Sequence, residues 1–205
     1  NEEFIQHLRD NGIEVIITSD EPSSGNFHFD HRKCFIIDGK LAHNTGYTIE
    51  EHMRNIHFDM GMRVEGDMVN QMQASFFTSW MHWGGKIEEA STEKGYDGFI
   101  SEYFPKAGPL SGTTEARLLL NIPRVQHRAT EVYYDAISGA KEKISVINEF
   151  LSDNELMDRL YEKAKAGVEI EIVFPRECEW EGYKFIAYDF FDKLKQFPNV
   201  KAYLY

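Results

Sequence analysis

Cysteine is almost absent from this 205-residue chain: Cys34 and Cys178 are the only two. Two cysteines so far apart exclude a disulfide framework and a paired-cysteine metal motif, and they fit a reducing compartment. Long apolar runs are missing too. Nothing approaches the roughly 18 apolar residues of a transmembrane helix, and no basic segment followed by an apolar core opens the chain as a secretory signal would. Basic charge is in deficit, with 22 Lys and Arg against 34 Asp and Glu and a formal net charge of -12. That balance gives no long-range attraction toward phosphate backbones and disfavours a general nucleic-acid binder, leaving only a local basic pocket. Gly-rich phosphate loops and zinc spacings are likewise lacking.

What the chain does have is apolar periodicity, with 42% hydrophobic residues and 15 Phe and 10 Tyr, enough to bury one large core or two smaller ones. Phe4, Ile5 and Leu8 share one face of an opening helix over residues 2–11, which reads as already in progress and implies residues upstream. Gly12 closes it as a left-handed cap, and residues 13–18 follow as a buried strand. A polar turn segment leads to an apolar run at 34–37, an Asp38-Gly39 hairpin signal and a strand at 40–42. Alternation predicts another strand over 57–64. Met68, Met72, Phe76 and Trp80 predict a helix over 67–83. Aromatic residues crowd this helix; Phe76, Phe77, Trp80, Met81 and Trp83 at such spacing are core more often than a membrane-facing patch.

Residues 85–114 are rich in Gly, Ser, Glu and Lys without periodicity and read as a connecting loop between two domains, 1–84 and 115–205. Beyond it the spacing predicts strand 116–121, helix 128–138, strand 143–148, helix 153–166, strand 168–174, helix 183–196 and strand 200–204. Such alternation argues for α/β layers. The helix and strand around Leu8 to Ile17 parallel those around Leu194 to Leu204, so the chain reads as two pseudo-repeated halves.

Chemistry concentrates at His31-Arg32-Lys33-Cys34-Phe35-Ile36-Ile37-Asp38, an H-x-K-x4-D pattern. On an extended strand His31 and Lys33 share a face, where one phosphate could meet both. Phosphodiester cleavage needs a nucleophile, a charge to compensate the anionic oxygens and a proton donor for the leaving alcohol. An imidazole can supply the first or the last, and a lysine ammonium the second. His127, in Gln126-His127-Arg128 ahead of a helix, breaks the pattern and reads as a surface or capping histidine. The Glu-rich stretch 177–181 reads as a solvated loop rather than a metal site.

These residues and their surroundings resemble the phospholipase D superfamily, above all its bacterial cardiolipin synthase branch. The H-x-K-x4-D run with Gly39-Lys40 resembles the family's core motif. Thr45-Gly46-Tyr47-Thr48-Ile49 falls where the family has Gly-Gly or Gly-Ser, one variable residue and Asn; here Thr45 replaces a glycine and Thr48 the asparagine. Asp59 in His57-Phe58-Asp59-Met60-Gly61-Met62-Arg63-Val64-Glu65-Gly66 resembles the acidic residue ahead of the family's Arg, hydrophobic, Glu, Gly run. Ile147-Asn148-Glu149-Phe150-Leu151 and the helix-strand unit after it are also similar, so the resemblance covers nearly the whole chain.

The resemblance implies a layered α/β fold with mixed sheets flanked by helices. Residues 1–84 would be the C-terminal part of a first domain and 115–205 the N-terminal part of a second, whose own H-x-K lies beyond this sequence. It implies His31 as nucleophile, Lys33 as holder of the phosphate oxygens, Asp59 as the carboxylate orienting the imidazole, and Gly46 and Thr48 on the substrate side. Asp38 would support the loop architecture, a role any Asp before a turn glycine can take. The chemistry implied is metal-free, uses no cofactor and passes through a phosphohistidine. The partners implied are a phospholipid such as phosphatidylglycerol and a membrane surface on its cytoplasmic side, reached peripherally or through an upstream anchor. A phosphodiesterase or nuclease using the same chemistry, and a non-catalytic scaffold on the same fold, are the rival readings.

Overall fold

The computed structural model describes residues 2–18, 30–47, 51, 58–86, 100, 103–106, 114–122, 126–177 and 181–205. Two compact units divide the chain, Asn1–Leu118 and Leu119–Tyr205. The sequence puts the connection at 85–114. The first unit runs slightly further because Leu118 packs on the cluster of Ala42, Val69 and Met72.

The first unit opens with α1, Glu2–Asp10. Gly12 has φ 78, and the N–H groups of Gly12 and Ile13 donate to the carbonyls of Arg9 and Leu8. That pair of bonds is the Schellman stop, which satisfies carbonyls the helix leaves open. Residues 13–18 are not a strand, contrary to the expectation; Ile13 and Ile17 are 51% and 56% exposed. A strand exists only when a neighbour fills its hydrogen bonds, and among the described residues none pairs with this segment.

Strands β1 (Lys33–Ile37), β2 (Leu41–Thr45) and β3 (Gly61–Glu65) form an antiparallel meander in that order. Asp38 (φ 54) and Gly39 (φ 60) turn the first hairpin, and Lys40 N–H donates to Ile37 O at 3.0 Å. Two consecutive left-handed residues are what a primed hairpin turn needs, hence Asp-Gly. One face of the meander presents Cys34, Ile36, Ala42 and Val64 to α2, Asp67–His82, whose Val69 and Met72 complete the core. The opposite face carries Lys33, Phe35 and Ile37 of β1, His43 and Thr45 of β2, and Gly61 of β3. Aromatic residues of α2 pair with each other and with the segment near residue 103: Phe76 stacks on Trp80 at 5.8 Å, and Phe77 meets Tyr103 edge-on at 5.2 Å. Phe76 and Met81 remain exposed.

In the second unit the expected strand at 116–121 is reduced to a two-residue bridge, β4 (Asn121–Ile122) with β5 (Gln126–His127). Residues 114–120 have no ladder partner among the described residues. Helix α3, Arg128–Gly139, has His127 at its N-cap without a side-chain cap bond. Asn121 caps it from outside instead, its Oδ1 accepting from Ala129 N at 3.1 Å. Then β6 (Lys143–Ile147), α4 (Asn154–Lys165), β7 (Glu169–Phe174), α5 (Glu181–Leu194) and β8 (Val200–Leu204) form a parallel sheet of order β6-β7-β8. Parallel neighbours need crossovers, and the two helices provide them.

Alternation along β7 sends Ile170, Ile172 and Phe174 into the core, where Leu160, Ala164, Ala187 and Leu194 meet them. Each large side chain so buried contributes about 1.5–3 kcal/mol. On the other face Lys143 lies 2.7 Å from Glu171 across the β6–β7 pair.

Candidate active site

Lys33 is the first residue of β1, and His31 stands two residues earlier, beyond the hydrogen-bonded ladder. Lys33 Nζ lies 2.9 Å from His31 Nε2 and donates to His31 O at 3.1 Å. An ammonium has donors only. A neutral imidazole facing it must therefore accept at Nε2 and carry its proton on Nδ1. The nitrogen nearest Lys33 is thus the unprotonated one, and the pairing sets an imidazole and a positive charge side by side, where one anion could meet both.

Asp59 arrives from the segment leading into β3. Met60 N–H donates to its Oδ1 at 2.7 Å, and Gly46 N–H donates to Met60 O at 3.1 Å. This last bond continues the β2–β3 register, in which Thr45 faces Gly61, by one step past the ladder. The Asp59 carboxylate lies directly over Gly46: a β-carbon at 46 would overlap Oδ1 and stand 3.1 Å from Cγ. Gly61 makes room in the same way, since a β-carbon there would stand 3.3 Å from both His43 Cε1 and Thr45 Cγ2 and 3.4 Å from Tyr47 Cε1. Thr45 is buried and its hydroxyl donates to Tyr47 O at 3.1 Å.

Among the residues singled out from sequence, His31, Lys33, Gly46 and Asp59 therefore gather at one end of the meander. Asp38 does not join them. It stands in the hairpin turn at the far end of β1, roughly 20 Å along the strand at about 3.3 Å per residue. There Gly39 is pressed against Tyr103 and Pro105, with a β-carbon at 39 standing 2.8 Å from Tyr103 O. Thr48 and His57 lie outside the described residues.

A pair of residues not singled out from the sequence flanks His31. Asp30 and Arg32, on either side of His31, pair through Nε at 2.7 Å and again through Nη2. Arg32 also donates to Ser75 Oγ and Ser79 Oγ on α2. The Arg32 guanidinium holds the Asp30 carboxyl below its ordinary value, and the Asp30 carboxylate raises Arg32 in return. Burial beneath the same strand pushes the Cys34 thiol up. The available signal was Ser75 and Ser79, one turn apart on α2.

Comparison with known proteins gives similarities of sequence and of fold. No family model matches the chain. The solved structure of phosphatidylserine synthase from Haemophilus influenzae Rd KW20 superposes with a TM-score of 0.57 over 86% of this chain and 48% of that one, at 12% identity. The fold is phospholipase D-like. In sequence the chain is 26% identical over 186 residues to a cardiolipin synthase of Clostridium perfringens (strain SM101 / Type A), covering 85% of this chain and 37% of that protein. It is 28% identical over 153 residues to cardiolipin synthase 1 of Staphylococcus aureus (strain MRSA252), covering 71% and 29%. Probable cardiolipin synthase YwiE of Bacillus subtilis (strain 168) is 24% identical over 182 residues, covering 85% and 34%. The chain thus spans about a third of the length of these homologues.

Proposed function

We propose that this chain carries the nucleophilic half of a phosphatidyltransferase site of the cardiolipin synthase type. His31 Nε2 attacks the phosphorus of a phospholipid, an N–P bond forms, and the bond from phosphorus to the leaving alcohol oxygen breaks. Lys33 holds the anionic oxygens as charge builds on them, and Asp59 steadies the imidazole through its Nδ1 proton. The acceptor alcohol then attacks the phosphohistidine, the N–P bond breaks, and His31 is regenerated. With phosphatidylglycerol as donor, glycerol leaves.

The leaving oxygen takes a proton and the attacking alcohol gives one up. A second histidine, from another H-x-K outside this sequence, is proposed to supply and then remove it. The single observation carrying the reading is the 2.9 Å pairing of His31 Nε2 with Lys33 Nζ. One more feature favours a lipid over a nucleic acid: Phe58 and Met60 are 90% and 78% exposed on either side of Asp59. Those side chains suit a lipid surface. Among the described residues no helix is long and apolar enough to cross a membrane.

The test is turnover of fluorescent phosphatidylglycerol and of a fluorescent DNA by the intact protein that carries this chain. The expected result is phosphatidyl transfer with glycerol released. Cleavage of DNA alone would replace the lipid reading with a nuclease, and inertness toward both would leave the binding scaffold.

A further inference from the structure

We infer that Arg32, held by Asp30, Ser75 and Ser79, is a positioning residue that turns His31 and Lys33 toward the substrate. The inference rests on the reading of His31 as nucleophile and adds to it a residue type that the motif leaves open.

His31 and Arg32 precede β1, so no ladder hydrogen bonds force them into strand alternation. Something else must fix which way the imidazole faces. The residues immediately before and after it do so. Asp30 accepts from Arg32 twice through the guanidinium and once from its backbone N–H at 3.2 Å. This fork closes a small ring around His31. The rest of the guanidinium grips α2 at Ser75, which is 8% exposed, and at Ser79 one turn on. With Asp30 and Arg32 tied to the helix side, His31 between them and Lys33 beyond are left on the other side, where their side chains meet. A planar fork with several donors can do this. A lysine at 32 could reach one partner and would fix no plane.

Misplacing a reacting group by about 1 Å can cost on the order of a hundredfold in rate. In the intact protein Arg32→Ala is therefore expected to lower kcat at least about tenfold, with KM changed far less and Arg32→Lys recovering only part of the loss. A second readout needs no turnover. In nitrogen-15 spectra of the 205-residue chain the His31 ring should show one neutral tautomer, protonated at Nδ1, and Arg32→Ala should convert it to a mixture. Should Arg32→Ala fail to fold, Ser79→Ala, which removes one hydroxyl at a half-buried position, is expected to move both readouts the same way by less. Unchanged kcat and an unchanged ring spectrum in a folded variant would overturn the role of Arg32. If His31→Ala retains full turnover, the nucleophile reading fails by itself, and the ring spectrum still decides whether Arg32 orients the imidazole.

Discussion

The carboxylate of Asp59 fills the space in which a side chain at residue 46 would lie. A side chain at residue 46 can be accommodated only if the Asp59 carboxylate moves aside, and the backbones are held at this approach by the bond from Gly46 N–H to Met60 O. Gly46→Ala is therefore expected to move the Asp59 carboxylate from its place over residue 46. Turnover is expected to fall at least about tenfold, since a displaced orienting group acts through geometry. Gly139→Ala is the control: it lies at the end of α3 with nothing within 4 Å of an added β-carbon. That change should leave turnover alone and stabilise the chain by up to about 1 kcal/mol. Comparing initial rates of the two variants tests the contact.

Lys33 is expected to matter more to the transition state than to binding. Its ammonium reaches His31 Nε2 in the resting protein and would transfer to phosphate oxygens as they gain charge. Lys33→Ala should lower kcat about a hundredfold or more in the intact protein, with a smaller change in lipid affinity, as for loss of one dedicated oxyanion donor. Steady-state kinetics beside vesicle binding separates the two effects.

Much of this was legible in the sequence. In the second unit the alternation of Ile170, Ile172 and Phe174 and the helical spacing of Met157, Leu160 and Ala164 mark the core directly, because β7 and α4 each bury one face. Strand 200–204 matches its expected limits. The segments 13–18 and 116–121 carry the same apolar signal, yet the first forms no strand and the second enters β4 only at Asn121, because strand formation depends on a distant neighbour that local pattern cannot supply. The site divides likewise. His31 and Lys33 are close in sequence and their pairing follows from spacing, whereas the closeness of Gly46 and Asp59 depends on the β2–β3 register. Arg32 was hidden between the two motif residues, its partners more than forty positions away on α2.

Acid stability should report the Asp30–Arg32 pair. Asp30 is held below its ordinary value of 3.8, chiefly by its hydrogen bonds with Arg32, so its ionised form stabilises the folded chain above that pH. That stabilisation is lost as pH falls through the depressed native value. Asp30→Asn should therefore be less stable than the parent at neutral pH, with the gap closing below about pH 3.8. Denaturant midpoints measured between pH 7 and pH 2 check it, and a gap constant with pH would contradict the pairing.

A separate test concerns the second unit. Asp153 Oδ1 accepts from Leu156 N at 2.8 Å as the N-cap of α4 and from the Tyr134 hydroxyl of α3 at 2.9 Å. Asp153→Ala should cost about 1 kcal/mol from the lost cap alone. Tyr134→Phe should destabilise the parent but have less effect once Asp153 is gone, which a double-mutant cycle by thermal unfolding would reveal.

The central claim is that His31 becomes covalently attached to phosphorus. The most direct measurement is rapid quenching of the intact protein with phosphatidylglycerol under conditions that preserve the acid-labile N–P bond, followed by mass spectrometry of the peptide containing His31. The expected result is a phosphatidyl adduct on His31 Nε2 that forms within one turnover, disappears when acceptor alcohol is added, and is absent from His31→Ala. Turnover at full rate with no adduct on His31, or an adduct on another residue that His31→Ala leaves in place, would contradict the account.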